Sequence, residues 1–307
     1  MLDERKVWEL MGETSGSIFP LAQEVMRPQF EEHFTEQRFY PLTFTAAQVA
    51  PKPISAGLLN KRNPYANPAG NEALLRDTSE AGYLDPVGQG DYLVSEKGAN
   101  AIRDVHEVFY NYINRINRFP KDKLQELDTL LEALVSACTK ADFPNGTLRL
   151  DISHNGHPQV EPASLARIDQ FLDDMNAFRD DAHVAAWSPA GVDGHTWEVL
   201  TFVWNGEAST VEKLVERLPY RSYAAEDYTA TLNELSQRGW IEPGEDGYTV
   251  TGTGKKIRDE AETQTDTNYF SPWKALTDEE VNRLGELLNE LKGINLKIAE
   301  EKVTDPE

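Results

Sequence analysis

The chain has 307 residues, 39% hydrophobic and 27% charged, a length that suits two domains of about 150 residues and an aromatic content too high for disorder throughout. Its formal net charge is −22, with 16 basic against 22 acidic residues up to His157 and 14 against 30 beyond it. Such a field repels a phosphate backbone unless basic groups gather on one face, although a salt-adapted source would produce the same balance without functional meaning. No run approaches the roughly 18 apolar residues of a membrane span, and Met1-Leu2-Asp3-Glu4-Arg5-Lys6 lacks the features of a secretion signal, so a cytoplasmic location without membrane contact is expected.

In chain order, Leu42-Thr43-Phe44 is the first apolar segment to recur later, and Lys61-Arg62 precede a helix expected over 69–81. Gly82-Tyr83-Leu84-Asp85-Pro86 is followed by a Gly-rich turn and a short alternating run, Asp91-Tyr92-Leu93-Val94-Ser95, which leads to Gly98 ahead of a helical stretch. After Phe119-Pro120, the spacing of Leu124, Leu127, Leu130, Leu131 and Leu134 predicts an amphipathic helix. The single cysteine, Cys138, lies in this apolar pattern and is expected to be packed rather than reactive. Residues 142–162, with turns at Asn145-Gly146 and Asn155-Gly156, read as a linker in which the alternation of Leu148, Leu150 and Ile152 predicts a short strand.

The second half repeats the order more clearly. An apolar run from Trp197 to Trp204 predicts a buried helix, and Ser209-Thr210-Val211-Glu212 offers a capping box for another that Pro219 ends. A third helix is expected over 224–238, closed by Gly239, then a hairpin of Trp240-Ile241 and Tyr248-Thr249-Val250 around Gly244-Glu245-Asp246-Gly247. Lys255 to Gln264 and a long amphipathic helix from Asp278, opened by a box at Thr277 and Glu280, complete the unit; the acidic end from Glu300 to Glu307 is expected to fray. Gly82 to Pro86 matches Gly239 to Pro243 at an interval of 157 residues, and the five leucines match Val281, Leu284, Leu287, Leu288 and Leu291 at the same interval.

Three helices followed by a hairpin is the order of a winged helix. Gly239-Trp240-Ile241, Thr251-Gly252-Thr253-Gly254 and Leu276-Thr277-Asp278-Glu279-Glu280 together resemble the MarR family of bacterial regulators; Gly82-Tyr83-Leu84 and Ser95-Glu96-Lys97-Gly98 resemble it more loosely. The resemblance implies a mostly α fold with small β-wings, built as a tandem duplication: one winged helix-turn-helix repeat over 1–141, a linker over 142–162, and a second repeat over 163–307. Because the family works as homodimers, it also implies a pseudo-dimer within one chain.

It further implies a transcriptional regulator that contacts double-stranded DNA through the helices at 69–81 and 224–238. Candidate contacts are Lys61, Arg62, Asn71 and Arg76 in the first half, and Arg221, Ser222, Tyr223, Lys255, Lys256 and Arg258 in the second. The wings depart from the family pattern: 87–91 has no arginine, and Glu245-Asp246 is acidic. The alternative is therefore an acidic winged-helix scaffold that binds a protein or small-molecule partner without DNA. For a small aromatic ligand the resemblance points to a pocket, with Trp187, Trp197, Trp204 and Trp273 as candidate walls, although core packing explains them as well. Asp151, His154, His157 and His183 are metal-type residues, but a turn-rich linker accounts for them; no metal or cofactor is expected. No nucleophile elbow, phosphate loop or dinucleotide fingerprint is present, so no enzyme is expected.

Overall fold

The computed structural model describes residues 3–304, with side chains through 301; Met1 and Leu2 of the opening segment and residues 305–307 of the acidic end lie outside it. Asp3 caps α1 (Glu4–His33) by accepting from the Lys6 amide, and Val7, Leu10, Met11, Ile18 and Leu21 make its buried stripe. Then follow α2 (Phe39–Val49), β1 (Ile54–Ser55), α3 (Ala56–Arg62), α4 (Pro68–Glu80), β2 (Leu84–Gly88), β3 (Asp91–Val94), α5 (Glu96–Ile116) and α6 (Lys121–Cys138). A connector carries α7 (Leu148–Gly156), and the second half runs α8 (Leu165–Trp187), α9 (Gly194–Trp204), α10 (Val211–Arg217), α11 (Ala225–Gln237), β4 (Ile241–Gly244), β5 (Gly247–Val250), α12 (Gly252–Phe270) and α13 (Asp278–Thr304).

One apolar core, reaching from Val7 to Ile298, joins α1, α5, α6, α8 and α13 from both halves. The packing is reciprocal. α1 lies along α13 and α5, while α8 lies along α12 and α6. Polar groups pin the first pair, with Thr14 donating to the Leu288 carbonyl at 3.2 Å and Asn295 donating to Ser17 at 3.0 Å. Outside this core stand two lobes with their own smaller cores. The first, around Leu42, Ala46, Ile54, Leu59, Leu75 and Leu84, holds α2 to α4 and an antiparallel sheet in the order β1-β3-β2. The second, around Trp197, Leu200, Leu214, Leu232, Leu235 and Ile241, holds α9 to α11 and the β4-β5 hairpin. In the second lobe the Tyr248 amide donates to the Ser209 carbonyl at 2.8 Å, where the first lobe has a third strand.

The glycines that end the wings have a steric cause. A Cβ on Gly98 would collide with the Tyr83 carbonyl, and one on Gly254 with the Trp240 carbonyl. Each follows a hydroxyl cap: Ser95 Oγ accepts from the Gly98 amide and donates to the Gly82 carbonyl, and Thr251 Oγ1 does the same with Gly254 and Gly239. At Thr277 the capping box is reciprocal, with Glu280 accepting from the Thr277 amide at 2.7 Å and Thr277 Oγ1 accepting from the Glu280 amide at 3.3 Å.

Two sequence expectations are corrected. The helix after residue 209 is capped by Thr210, which accepts from the Lys213 amide, while the Ser209 hydroxyl turns to the Asp246 carbonyl. The alternation of Leu148, Leu150 and Ile152 is a helix rather than a strand, because Asp181 of α8 accepts from the Arg149 and Leu150 amides and so caps α7 from a distant element.

Candidate nucleic-acid interface and interlobe cleft

Helices α4 and α11 each stand third among the helices of their lobe, directly ahead of a β-hairpin. Asn67 caps α4 by accepting from the Ala69 amide, ahead of a proline at the first helical position. α11 begins after Ala224, whose amide donates to Asp227 at 2.8 Å. The outward groups near these helices are mostly acidic: Glu72, Glu80 and Asp85 in the first lobe, Glu226, Asp227, Glu242, Glu245 and Asp246 in the second.

The N-terminal ends of α4 and α11 are fastened to each other. The Asn67 amide donates to the Arg221 carbonyl at 3.0 Å, and its side-chain Nδ2 donates to the Ser222 carbonyl at 2.9 Å. Tyr223 donates to the Ala66 carbonyl at 3.4 Å, and a Cβ on Gly70 would lie 3.0 Å from that of Ser222. On the flank, Trp187 donates to the Tyr65 hydroxyl at 3.1 Å, and a Cβ on Gly194 would collide with the Pro64 carbonyl. Ser222 holds a left-handed conformation, φ 61°, to make this approach. One residue, Tyr223, separates Ser222 from the α11 cap at Ala224, so chain reach keeps the two helix starts within roughly 20 Å. Consecutive major grooves on one face of a duplex are about 34 Å apart.

The predicted basic contacts divide in two. Lys61, Arg76, Lys255 and Lys256 are exposed, the last two paired along α12 with Asp259 and Glu260 at 2.6 and 3.7 Å, and Asn71 is half-buried and donates to Asn60 at 2.5 Å. Arg258 is a correction: it is 3% exposed, lies 4.8 Å from both the Trp197 and Trp204 ring centres, and pairs with Glu262, so no phosphate can reach it. Arg221 is likewise engaged, clamping Glu198 with Nε at 3.0 Å and Nη2 at 2.6 Å. Tyr223 stacks on His195 at 3.7 Å between ring centres, and Arg62 turns inward. The tryptophans are also corrected. Trp187, Trp197 and Trp273 are fully packed core residues, Trp187 stacked on Trp197 at 5.7 Å, and half-buried Trp204 donates to Asp259.

Concavities lie instead between the first half and the connector, and between the two halves. One, of about 720 Å³, runs between Phe44 of α2, Ile102, His106 and Tyr110 of α5, and the connector at Pro158 and Val160. Burial, then the neighbouring His157, holds the His106 imidazole down to about 4, so it is neutral and shares a 3.1 Å hydrogen bond with Tyr40. A second cleft, of about 520 Å³, is bounded by Gln48, Arg62, Tyr65, Arg149 and the α8 face bearing Asp173 and Asp180. Both carboxyls meet cleft solvent but are ringed by protein, and this desolvation raises them above the ordinary range, Asp173 to about 6. Sequence reasoning missed this face; the signal was the spacing of Asp169, Asp173 and Asp180 on one side of a helix that is apolar on the other.

The metal-type residues separate. His154 and His157 both turn to Asp174, at 2.7 and 3.1 Å, while His183 meets Thr265 at 3.0 Å. Against its burial, hydrogen bonds from His154, His157 and Ser153 hold the Asp174 carboxyl below its usual range. Among the described residues no group of three or more such side chains is placed to hold a metal ion, and no helix is long and apolar enough to cross a membrane.

A family model described as a helix-turn-helix family matches residues 114–297, more than half of the chain. The protein belongs to that helix-turn-helix family. No curated protein and no solved structure matches it.

Proposed function

We propose that the protein is a regulator-like, DNA-binding member of its family, built from two tandem MarR-type winged helices over 1–141 and 163–307, joined by 142–162. In this reading the halves form a pseudo-dimer within one chain, work in the cytoplasm without a cofactor and have no catalytic role. The observation that carries it is the recurrence, in each half, of a recognition helix, a wing and a glycine-tight junction into a long helix. Two contacts between the halves support it. Glu126 with Arg283, and Ala66 with Tyr223, each pair positions separated by the 157-residue interval of the sequence repeat, as equivalent sites near a two-fold axis do.

DNA contact belongs to an arrangement in which α4 and α11 have moved apart, with Lys61, Asn71, Arg76, Lys255 and Lys256 as the phosphate and base contacts. A small molecule between the halves is the effector of that change. Retention of pooled genomic fragments by the purified protein across a salt series tests this: selective retention that weakens steeply with salt is expected. The acidic recognition faces favour a second reading, a scaffold for a protein or small-molecule partner, and absence of retention even at low salt selects it.

A further inference from the structure

The cleft of about 520 Å³ between the halves contains charges that the chain leaves without partners. Two of its arginines are engaged: Arg149 with Asp181 and the Lys61 carbonyl, Arg221 with Glu198 and Asn63. Among the described residues, the Arg62 guanidinium and the Asp173 and Asp180 carboxylates make no hydrogen bond or ion pair. Gln48 is 8% exposed, yet its Oε1 has no donor. A charge held in a partly desolvated place with no partner in hydrogen-bond contact is costly, and a buried acceptor without a donor costs more than the bond it lacks.

The unsatisfied groups are ordered along the cleft. Gln48 packs against Gly156 at the end of α7, and Asp173 feels the neighbouring His157, which places both toward that end. Arg62 lies toward Asp180, the carboxylate whose charge acts on it. Asp173 and Asp180 are seven residues apart on α8, about 10 Å of helix rise. One end therefore offers acceptors for a cation, and the other a guanidinium for an anion, which feels the like charge of Arg149 and the opposite charge of Asp180. Ala177 lies on α8 between the two carboxylates, and Phe44, Tyr65 and Val184 supply further apolar wall.

We propose that this cleft binds a small zwitterion with separated charges, an ω-amino acid or basic amino acid, its ammonium against Asp173 and Gln48 and its carboxylate against Arg62. This names the effector class of the reading above but does not depend on DNA contact. The cleft wall includes Arg62, Tyr65 and Arg221, the segments that fasten the two recognition helices, so an occupant touches the fastening directly.

The test uses the full chain and one carbon skeleton, with calorimetry and thermal shift for 6-aminohexanoate, hexanoate, hexylamine and L-lysine, and salicylate as an aromatic acid. The expected result is that 6-aminohexanoate or L-lysine binds at least about tenfold more tightly than either one-ended analogue. Arg62→Gln should reduce the zwitterion to the affinity of hexylamine, and Asp173→Asn to that of hexanoate, with circular dichroism unchanged because both side chains face the cleft. No binding of either zwitterion at about 10 mM overturns the proposal, as does hexanoate or salicylate binding as tightly as the zwitterions. DNA retention is scored separately, so a ligand-binding protein that retains no DNA refutes the regulator reading and leaves the cleft assignment standing.

Discussion

Replacing Asp181 by alanine should unfasten the connector from the bundle. The carboxylate is 2% exposed and accepts from the Arg149 amide at 3.0 Å, the Leu150 amide at 2.9 Å and the Arg149 guanidinium at 2.9 Å. Its removal leaves a guanidinium that is itself almost wholly buried, and strips the first turn of α7 of its cap. Breaking a buried pair on one side costs about 3–5 kcal/mol. We expect a loss of about 4 kcal/mol in urea unfolding followed by tryptophan fluorescence, and a fall in Tm of roughly 6 °C. Arg149→Met should cost less, since it leaves a carboxylate still bonded to two amides. The double variant should recover about 1–3 kcal/mol relative to the sum of the singles, because the stranded charge is gone. A loss below about 1 kcal/mol for Asp181→Ala, or an additive cycle, would refute the view that this pair holds the connector.

Three further perturbations follow from the same geometry. Arg258→Ala removes a guanidinium wedged between Trp197 and Trp204, and should cost about 2–4 kcal/mol in thermal unfolding while leaving the salt dependence of fragment retention unaltered; a reduced salt slope would instead make it a phosphate contact. Gly194→Ala forces the Pro64 segment away and should cost about 1–3 kcal/mol. Spin labels on α4 and α11 should then report a longer distance, and an unchanged distance with unchanged stability contradicts the tight approach. His106, held down to about 4 in the folded chain, resists a proton that the unfolded chain accepts near 6.5, so its contribution is present above that pH and is lost as pH falls toward 4. His106→Gln should flatten the decline in stability between pH 6.5 and 4.5 by up to roughly 3 kcal/mol, and an unchanged decline assigns it to other groups.

What was legible in the sequence was local chemistry. Gly239, left-handed in the structure as Gly82 also is, announced the end of α11, and the Thr277 box announced α13, because each feature satisfies backbone groups within a few residues. The failures are non-local. The pattern of α7 was ambiguous until Asp181 arrived from α8 to cap it. Helices α1 and α8 went unread because buried polar residues, Thr14 and Ser17 in one and Asp174 and Asp181 in the other, interrupt their apolar stripes, and each is satisfied by partners that one-dimensional spacing cannot reveal. Arg258 was misassigned because it neighbours Lys255 and Lys256 in sequence, yet the helical turn points it inward with Gly254 and Ala261.

The charge balance then acquires a location. Several of the chain's cations serve inside as struts: Arg149 on Asp181, Arg221 on Glu198, Arg179 over Trp8, and Arg258 between two tryptophans. The outer faces of α4, α11 and the two hairpins keep the acids. Under the regulator reading this sets a competition, since a guanidinium that forks onto Glu198 cannot at the same time neutralise a phosphate. Asn67, likewise, cannot hold the Arg221 and Ser222 carbonyls across the gap while its helix enters a groove of its own. Under that reading, fastening the lobes and contacting DNA are exclusive uses of the same segments. Whatever alters the cleft beneath Arg62, Tyr65 and Arg221 acts on the choice between them.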